Sequence, residues 1–138
     1  MLVSALLWGL VAGVVHTVVT GALYGNPLVD RVYQRAMMEE PGVKDWPSRP
    51  RYLLTQIAGT QVEIWILAIG FLWLRPLLGV QGLAGTALLA LLFSGIRVYP
   101  RFWNMWIQST YPDRMLAIEA FAGVVGTFVV VGVLHFLA

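Results

Sequence analysis

The stretch from residue 52 to residue 99 decides the fold. It reads YLLTQIAGTQVEIWILAIGFLWL over 52–74, then Arg75-Pro76, then LLGVQGLAGTALLALLFSGIRVY over 77–99. Each run has the length of about 20 apolar residues that an α-helix needs to cross the hydrocarbon core of a membrane. Because only two residues separate the runs, we expect a tight antiparallel hairpin of two membrane spans.

Two further runs of the same kind flank this hairpin, at residues 2–24 and 115–137. The chain is 59% hydrophobic and 12% charged, whereas about 25% charged residues is usual in a soluble domain. The absence of cysteine excludes a disulfide scaffold. The sequence therefore predicts one all-α membrane domain over residues 1–138, built as a bundle of four transmembrane helices. No Lys or Arg precedes the first run, so we expect a span there and not a cleaved signal peptide.

Basic residues predict the orientation of the four spans. Eight of the nine lie in or beside the polar connections 25–51 and 100–114, namely Arg31, Arg35, Lys44, Arg49, Arg51, Arg97, Arg101 and Arg114. The opposite side has only Arg75. Since basic connections remain in the cytoplasm, we expect a multi-pass protein of the cytoplasmic (inner) membrane with both termini outside.

Each polar connection is expected to hold an amphipathic helix at the cytoplasmic membrane surface. Asn26 followed by Pro27 is typical of a helix start, and Pro41-Gly42 ends that element. In the second connection, large apolar side chains recur at helical spacing around Pro100: Tyr99, Phe102, Trp103, Trp106 and Ile107. Such a stripe favours the headgroup region or a partner protein over a cofactor site.

Small residues recur every four positions along the first span and return in the later spans. The positions that we expect to serve helix packing or docking are Gly9, Gly13, Thr17, Gly21, Gly82 and Ala90. Because four residues return to nearly the same helix face, they form a groove that another backbone can approach closely. The neighbour in that groove is a helix of the same chain, a helix of another subunit, or a flat cofactor.

Ionisable residues inside a span are functional candidates by default. Glu63 is at the midpoint of the second span, on a polar side that also carries Gln56, Thr60 and Gln61. His16 lies at a compatible depth in the first span, and we expect a hydrogen bond between His16 and Glu63. The interpretations are a structural contact, a proton relay, or a tetrapyrrole with His16 as its axial ligand.

Glu119 lies about one turn into the fourth span, at the level of Arg97 and Arg114. We expect an interfacial ion pair among these three residues. The sequence contains no H-E-x-x-H, nucleophile elbow, Walker loop or dinucleotide fingerprint. We therefore predict no catalytic residues, no metal site and no nucleic-acid partner, and we expect bound membrane lipid.

The segment GALYGNPLVDRVYQRAM, residues 21–37, resembles a pattern in an uncharacterised family of small bacterial membrane proteins with four spans. That family has G-x-L-W-Y-x-P-L before an amphipathic helix, and R-x-x-x-L-x-I at the start of the last span, which Arg114 and Ile118 match in part. The tryptophan that the family has in its third span is replaced here by Phe93-Ser94-Gly95. The resemblance implies the four-span fold and no catalytic residues, since the family has no assigned activity.

Taken with the proline-free spans, these features favour a non-catalytic accessory or structural subunit of a membrane complex, or of a homo-oligomer, docking through its Gly-rich faces. The alternative is a small transporter or proton-coupled carrier that uses His16, Glu63 and the Gln56/Thr60 face. A haem- or chlorophyll-binding subunit is the third interpretation.

Overall fold

The computed structural model describes residues 1–138 and consists of helices with no strands. The helices are α1 (Leu2–Tyr24), α2 (Pro27–Glu39), α3 (Arg49–Leu77), α4 (Gly82–Arg97), α5 (Tyr99–Gln108) and α6 (Asp113–Leu137). Four helical stretches are long and apolar enough to cross a membrane: Leu2–Tyr24, Arg49–Leu77, Gly82–Gln108 and Asp113–Leu137. The predicted all-α fold with four spans is confirmed.

The third span starts and ends later than its predicted bounds of 77–99. α3 continues through Pro76, and the turn to α4 uses Gly79 (φ +60°) and Gly82 (φ +67°), a backbone conformation that favours glycine. At the other end only Val98 separates α4 from α5. Pro100 lies in the first turn of α5, where its missing N–H is not needed. The amphipathic helix expected around Pro100 therefore joins α4 in one candidate span, and the connection to α6 shortens to 109–112.

Local capping explains where α2 and α3 begin. Asn26 Oδ1 accepts a hydrogen bond from the Leu28 N–H at 2.9 Å, as its position before Pro27 predicts. Ser48 Oγ accepts one from the Arg51 N–H at 3.3 Å, so α3 starts at Arg49, three residues before the predicted span. These caps fix the long connection between the first two spans as α2 followed by an irregular segment.

The spans pack in the order α3, α1, α6, α4, so consecutive helices are not always neighbours. α1 and α3 are antiparallel, since Leu6 meets Trp65 and Gly9 meets Gln61. α3 and α4 make few contacts despite the short turn between them. The short turn and the antiparallel course expected of these two helices are present, since Glu63 pairs with Arg97 and Gly70 lies beside Phe93, but α4 packs mainly on α6.

The apolar core fills the half of the bundle that contains the α3–α4 turn. Its members are Ala5, Ala12, Ile64, Leu67, Ala68, Phe71, Leu89, Ala90, Phe93, Val130, Val131 and Leu134. In the other half polar side chains lie between the helices, and a cleft opens between α3, α6 and the α4–α5 junction. Residues 49–59, at the start of α3, are all exposed. The polar half, not the core, is therefore where a site can form.

Candidate functional site: a polar cluster inside the bundle

An ion pair between Glu63 and Arg97 joins α3 to α4. Arg97 Nε donates to Glu63 Oε1 at 2.5 Å, and Arg97 Nη2 donates to Glu63 Oε2 at 2.8 Å. The remaining guanidinium nitrogen, Nη1, donates to Thr127 Oγ1 on α6 at 3.0 Å. A two-point pair of this kind is shorter and stronger than a neutral hydrogen bond. Glu63 and Arg97 thus connect helices that barely touch otherwise.

The predicted hydrogen bond between His16 and Glu63 is wrong, because Arg97 engages both carboxylate oxygens instead. Arg97 was expected at the membrane interface, since the third span was predicted to end two residues after it. With α5 continuing the span to Gln108, Arg97 lies well inside the helical stretch and reaches Glu63. The predicted partner of Glu63 is therefore wrong because the third span extends beyond its predicted end.

His16 lies beside this ion pair without bonding to it. The imidazole is 6% exposed and packs against Gly126, where an added Cβ would lie 2.5 Å from His16 Nε2. Gly126 precedes Thr127, which is the second partner of Arg97 after Glu63. One polar residue from each span therefore meets in a single cluster: His16 (α1), Glu63 (α3), Arg97 (α4) and Thr127 (α6).

Two buried polar atoms near this cluster have no hydrogen-bond partner. They are His16 Nδ1 and Ser94 Oγ, and Ser94 lies one turn before Arg97 in α4. Buried polar groups in proteins nearly always have a partner, and ordered water supplies it where protein atoms do not. The cluster thus offers polar sites for water inside the bundle.

A second group of polar side chains surrounds Glu119, which lies nearer the N-terminus of α6 than Thr127 does. Its Oε1 accepts from Tyr111 Oη at 2.5 Å and from Tyr33 Oη at 3.1 Å, and its Oε2 lies 3.5 Å from Arg101 Nη2. The expected ion pair of Glu119 with Arg97 and Arg114 is therefore wrong. Arg97 is held by Glu63, and Arg114 is exposed and pairs with no carboxylate.

The environment of Glu119 changes the acidity of its two tyrosine partners. Burial, the largest cause, raises the pKa of the Tyr33 hydroxyl above its usual range, and Tyr24 and Glu119 add to the rise. Burial also raises the pKa of Tyr111, followed by its hydrogen bond to Glu119. A neutral phenol that donates to a carboxylate gains nothing by ionising. Both hydroxyls therefore stay protonated donors at physiological pH.

A small cleft links the two polar groups. It has a volume of about 80 Å³ and is lined by Glu63 and Arg97, by Arg101 and Glu119, and by the backbone of Gly123. The cleft lies between α3, α6 and the α4–α5 junction, in the polar half of the bundle. Its size suits a few water molecules and no larger ligand.

Gln61 and Trp65 hold α1 against α3 and do not belong to the polar cluster. Gln61 Nε2 donates to the Gly9 carbonyl and Trp65 Nε1 to the Leu6 carbonyl, both at 3.1 Å. The Gln61 side chain fills the space beside Gly13, where an added Cβ would collide with it. This is the space that a tetrapyrrole beside His16 was expected to use.

The other small residues differ in their surroundings. Ala90 is in the core, and Thr17 is partly buried. Gly21 has no heavy atom of another residue within 4 Å of an added Cβ, and Gly82 serves the turn before α4. Only part of the small-residue pattern thus serves packing within the chain.

Gln56 and Thr60 share the Glu63 side of α3 but lie outside the cluster. Gln56 is exposed, and its amide nitrogen is 3.5 Å from Thr60 Oγ1, its only side-chain partner. No group of three potential metal ligands comes together anywhere in the chain. The second histidine, His135, lies at the opposite end of the bundle with Nδ1 2.7 Å from Thr86 Oγ1.

Comparison with known proteins supports the family resemblance of the sequence. A family model described as "Protein of unknown function (DUF1761)" matches residues 8–135, a range that contains α2 to α5 and most of α1 and α6. No curated protein and no solved structure matches the chain. On the extent of that match, the chain belongs to the DUF1761 family of proteins of unknown function.

Proposed function

We propose that the protein is a non-catalytic subunit of a membrane complex, which docks onto a helix of another subunit through the exposed polar face of α3. The observation that carries this proposal is the Gln56–Thr60 pair. Gln56 lies in the helix segment 49–59, whose residues are all exposed, and Thr60 follows directly after this segment and is partly exposed.

Exposed apolar side chains on the same segment do not by themselves indicate a protein partner. Lipid tails are as apolar as leucine, so an exposed Leu54 needs no protein partner in a bilayer. A glutamine amide is different, because hydrocarbon offers it no hydrogen bonds. One weak contact at 3.5 Å leaves most of the hydrogen-bonding capacity of Gln56 unused. A partner helix with polar groups at this depth supplies what the chain lacks.

Symmetry favours a different subunit over a second copy. Two copies inserted with the same orientation are related by an axis along the membrane normal, so each residue meets its own copy at equal depth. A face-to-face dimer through this side of α3 brings two Glu63 residues together, and the Glu63 side chain is 44% exposed. Each carboxylate is already paired with Arg97 of its own copy, so a second copy offers this face no new ion pair.

The proposal includes the location of the protein. Six of the nine basic residues lie at the end of the bundle that holds the α2 connection: Arg31, Arg35, Lys44, Arg49, Arg51 and Arg114. Arg97 and Arg101 lie within the candidate span Gly82–Gln108, and Arg75 alone lies at the other end. This asymmetry supports an orientation with the α2 connection in the cytoplasm and both termini outside. The resemblance of residues 21–37 to a bacterial family supports the bacterial inner membrane as the location.

Native gel electrophoresis of mildly solubilised membranes tests the docking. The wild-type protein is expected to migrate well above the 15.3 kDa of a single chain, and the Gln56→Leu/Thr60→Val variant to fall to that mass. Thr55→Val is the matched control, because the Thr55 hydroxyl is satisfied by the Arg51 carbonyl of its own helix. Wild-type migration as a single chain, or a variant that remains in the larger species, contradicts the proposal.

A second candidate, a proton-coupled carrier, is favoured by the cleft that joins Glu63 and Arg97 to Glu119 and Arg101. It requires the two-point Glu63–Arg97 pair to open in each cycle. Proton flux into proteoliposomes tests it, with Glu63→Gln expected to abolish the flux and Glu39→Gln, an exposed control, to preserve it. Absence of flux with wild-type protein rejects this candidate and leaves the docking proposal unaffected.

A further inference from the structure

An apolar groove lies where α1 ends, on the side of α6 away from the ionic cleft. Its floor is formed by Ala117 and Ala122 and its walls by Tyr24, Val29 and Phe121. Every lining residue is hydrophobic, and the volume is about 310 Å³. Tyr24 is the last residue of α1 and Val29 belongs to the amphipathic helix α2. The groove therefore lies near the membrane surface, where the polypeptide passes from the span α1 to the amphipathic helix α2.

An unpaired cation lies one turn from this groove on the same helix. Arg114 precedes Ala117 by three residues and Phe121 by seven, so the three share one face of α6. Arg114 is exposed and pairs with no carboxylate, whereas Arg97 and Arg101 are each held by a glutamate. Its neighbour Asp113 is about 100° away around the helix. The groove thus has a free guanidinium at its polar end.

We infer that this groove binds an anionic glycerophospholipid, with the phosphate on Arg114 and an acyl chain between Phe121, Tyr24 and Val29. The arrangement has the two parts that such a lipid requires: an apolar channel and a cation at the headgroup level. Basic pockets between membrane helices on the cytoplasmic side bind anionic headgroups in this manner. An arginine also matches the geometry of a phosphate better than a lysine does.

A protein helix does not fit this groove as well as a lipid chain does. The α6 part of the groove runs only from Ala117 to Ala122, about 8 Å of helix at 1.5 Å per residue. Packed helices need several turns of contact, with a body about 10 Å wide. A single acyl chain is much narrower than a helix and can lie along so short an apolar groove, between Phe121 and Tyr24. This site is independent of the α3 face and of the docking proposal.

Native mass spectrometry in a non-ionic detergent, with added dioleoyl phosphatidylglycerol or dioleoyl phosphatidylcholine, tests the inference. Wild-type protein is expected to retain phosphatidylglycerol over phosphatidylcholine. Arg114→Gln is expected to weaken phosphatidylglycerol retention about fivefold, the effect of one basic side chain at an anionic surface. Arg51→Gln is the matched control, since Arg51 is also exposed and forms no ion pair.

Blocking the groove gives the second arm of the test. Ala117→Trp is expected to reduce retention of both lipids, because the exposed Ala117 position accepts a large side chain that fills the channel. Ala117→Leu, a smaller change, is expected to give a partial loss if the tryptophan variant does not fold. Excess glycerol 3-phosphate is expected to displace nothing, since it lacks the acyl chain. Equal losses in the Arg114 and Arg51 variants, unchanged retention in both Ala117 variants, or displacement by glycerol 3-phosphate each overturn the inference.

Discussion

Glu63, the central residue of α3, and Arg97, the last residue of α4, form a two-point ion pair between helices that otherwise make few contacts. The guanidinium is the more deeply buried partner, at 14% side-chain exposure against 44% for the carboxylate. Because the Arg97 side chain is the more buried of the two, leaving it unpaired costs more free energy than leaving the Glu63 carboxylate unpaired.

Removing Glu63 is therefore expected to cost more stability than removing Arg97. Glu63→Leu leaves a buried guanidinium unpaired and should lower the free energy of unfolding by about 3 kcal/mol. Arg97→Leu leaves a carboxylate that water reaches through the cleft, so its cost should be smaller. Unfolding by sodium dodecyl sulfate in mixed micelles measures both.

The double variant Glu63→Leu/Arg97→Leu provides the control, because replacing a buried ion pair by apolar side chains is often nearly neutral. It should be more stable than Glu63→Leu alone. Additive losses in the double variant would show that the two side chains do not act as a pair.

Two glycines of α1 should respond oppositely to the same small change. Gly13→Ala places a methyl group against the Gln61 amide, so it should destabilise the α1–α3 contact. Gly21→Ala meets no neighbour and should raise stability by up to about 1 kcal/mol through helix propensity. Thermal unfolding in detergent compares the two, and an equal effect of both would contradict the described packing.

The tyrosines around Glu119 predict a loss of stability at alkaline pH. Their pKa values are raised in the folded protein, so the folded state holds protons that the unfolded chain releases near pH 10. Stability should be level from pH 7 to about pH 9 and should fall as the pH rises above 10. Tyr33→Phe/Tyr111→Phe should be less stable than wild type at neutral pH but lose less above pH 10. An identical alkaline fall in both proteins would exclude this origin.

The absence of cysteine makes the orientation simple to measure. Single cysteines at Lys44 and at Gln81 lie in connections at opposite ends of the bundle. In intact bacterial cells an impermeant maleimide should label Gln81→Cys at once and Lys44→Cys only after the inner membrane is opened. The reverse pattern would invert the proposed topology.

The sequence was sufficient for the fold because hydrophobic length alone identifies helices that can cross a membrane. The sequence did not predict which polar side chains contact one another, and the cause is the predicted end of the third span. The predicted third span ends at Tyr99, directly before Pro100, although a proline in the first turn of a helix interrupts nothing. Moving that boundary places Arg97 beside Glu63 and leaves His16 against Gly126.

Other contacts were beyond sequence reasoning for a different reason. Glu119 meets Tyr33, which is far away in the chain, only because α2 folds back onto α6. Nothing in the spacing of these residues signals that approach. By contrast, the cap at Ser48 follows a known helix-start pattern, which the residues Ser48-Arg49-Pro50 display.

Site-specific photocrosslinking tests the docking of α3 most directly. A benzoylphenylalanine in place of Leu53, which is exposed one turn before Gln56 on α3 and leaves the Gln56–Thr60 pair intact, is expected to form an adduct with a different membrane polypeptide in the native membrane. The same probe at Leu88, which is 65% exposed on α4, is expected to form none. No protein adduct from position 53, or an adduct only with a second copy of this chain, would contradict the proposed partner.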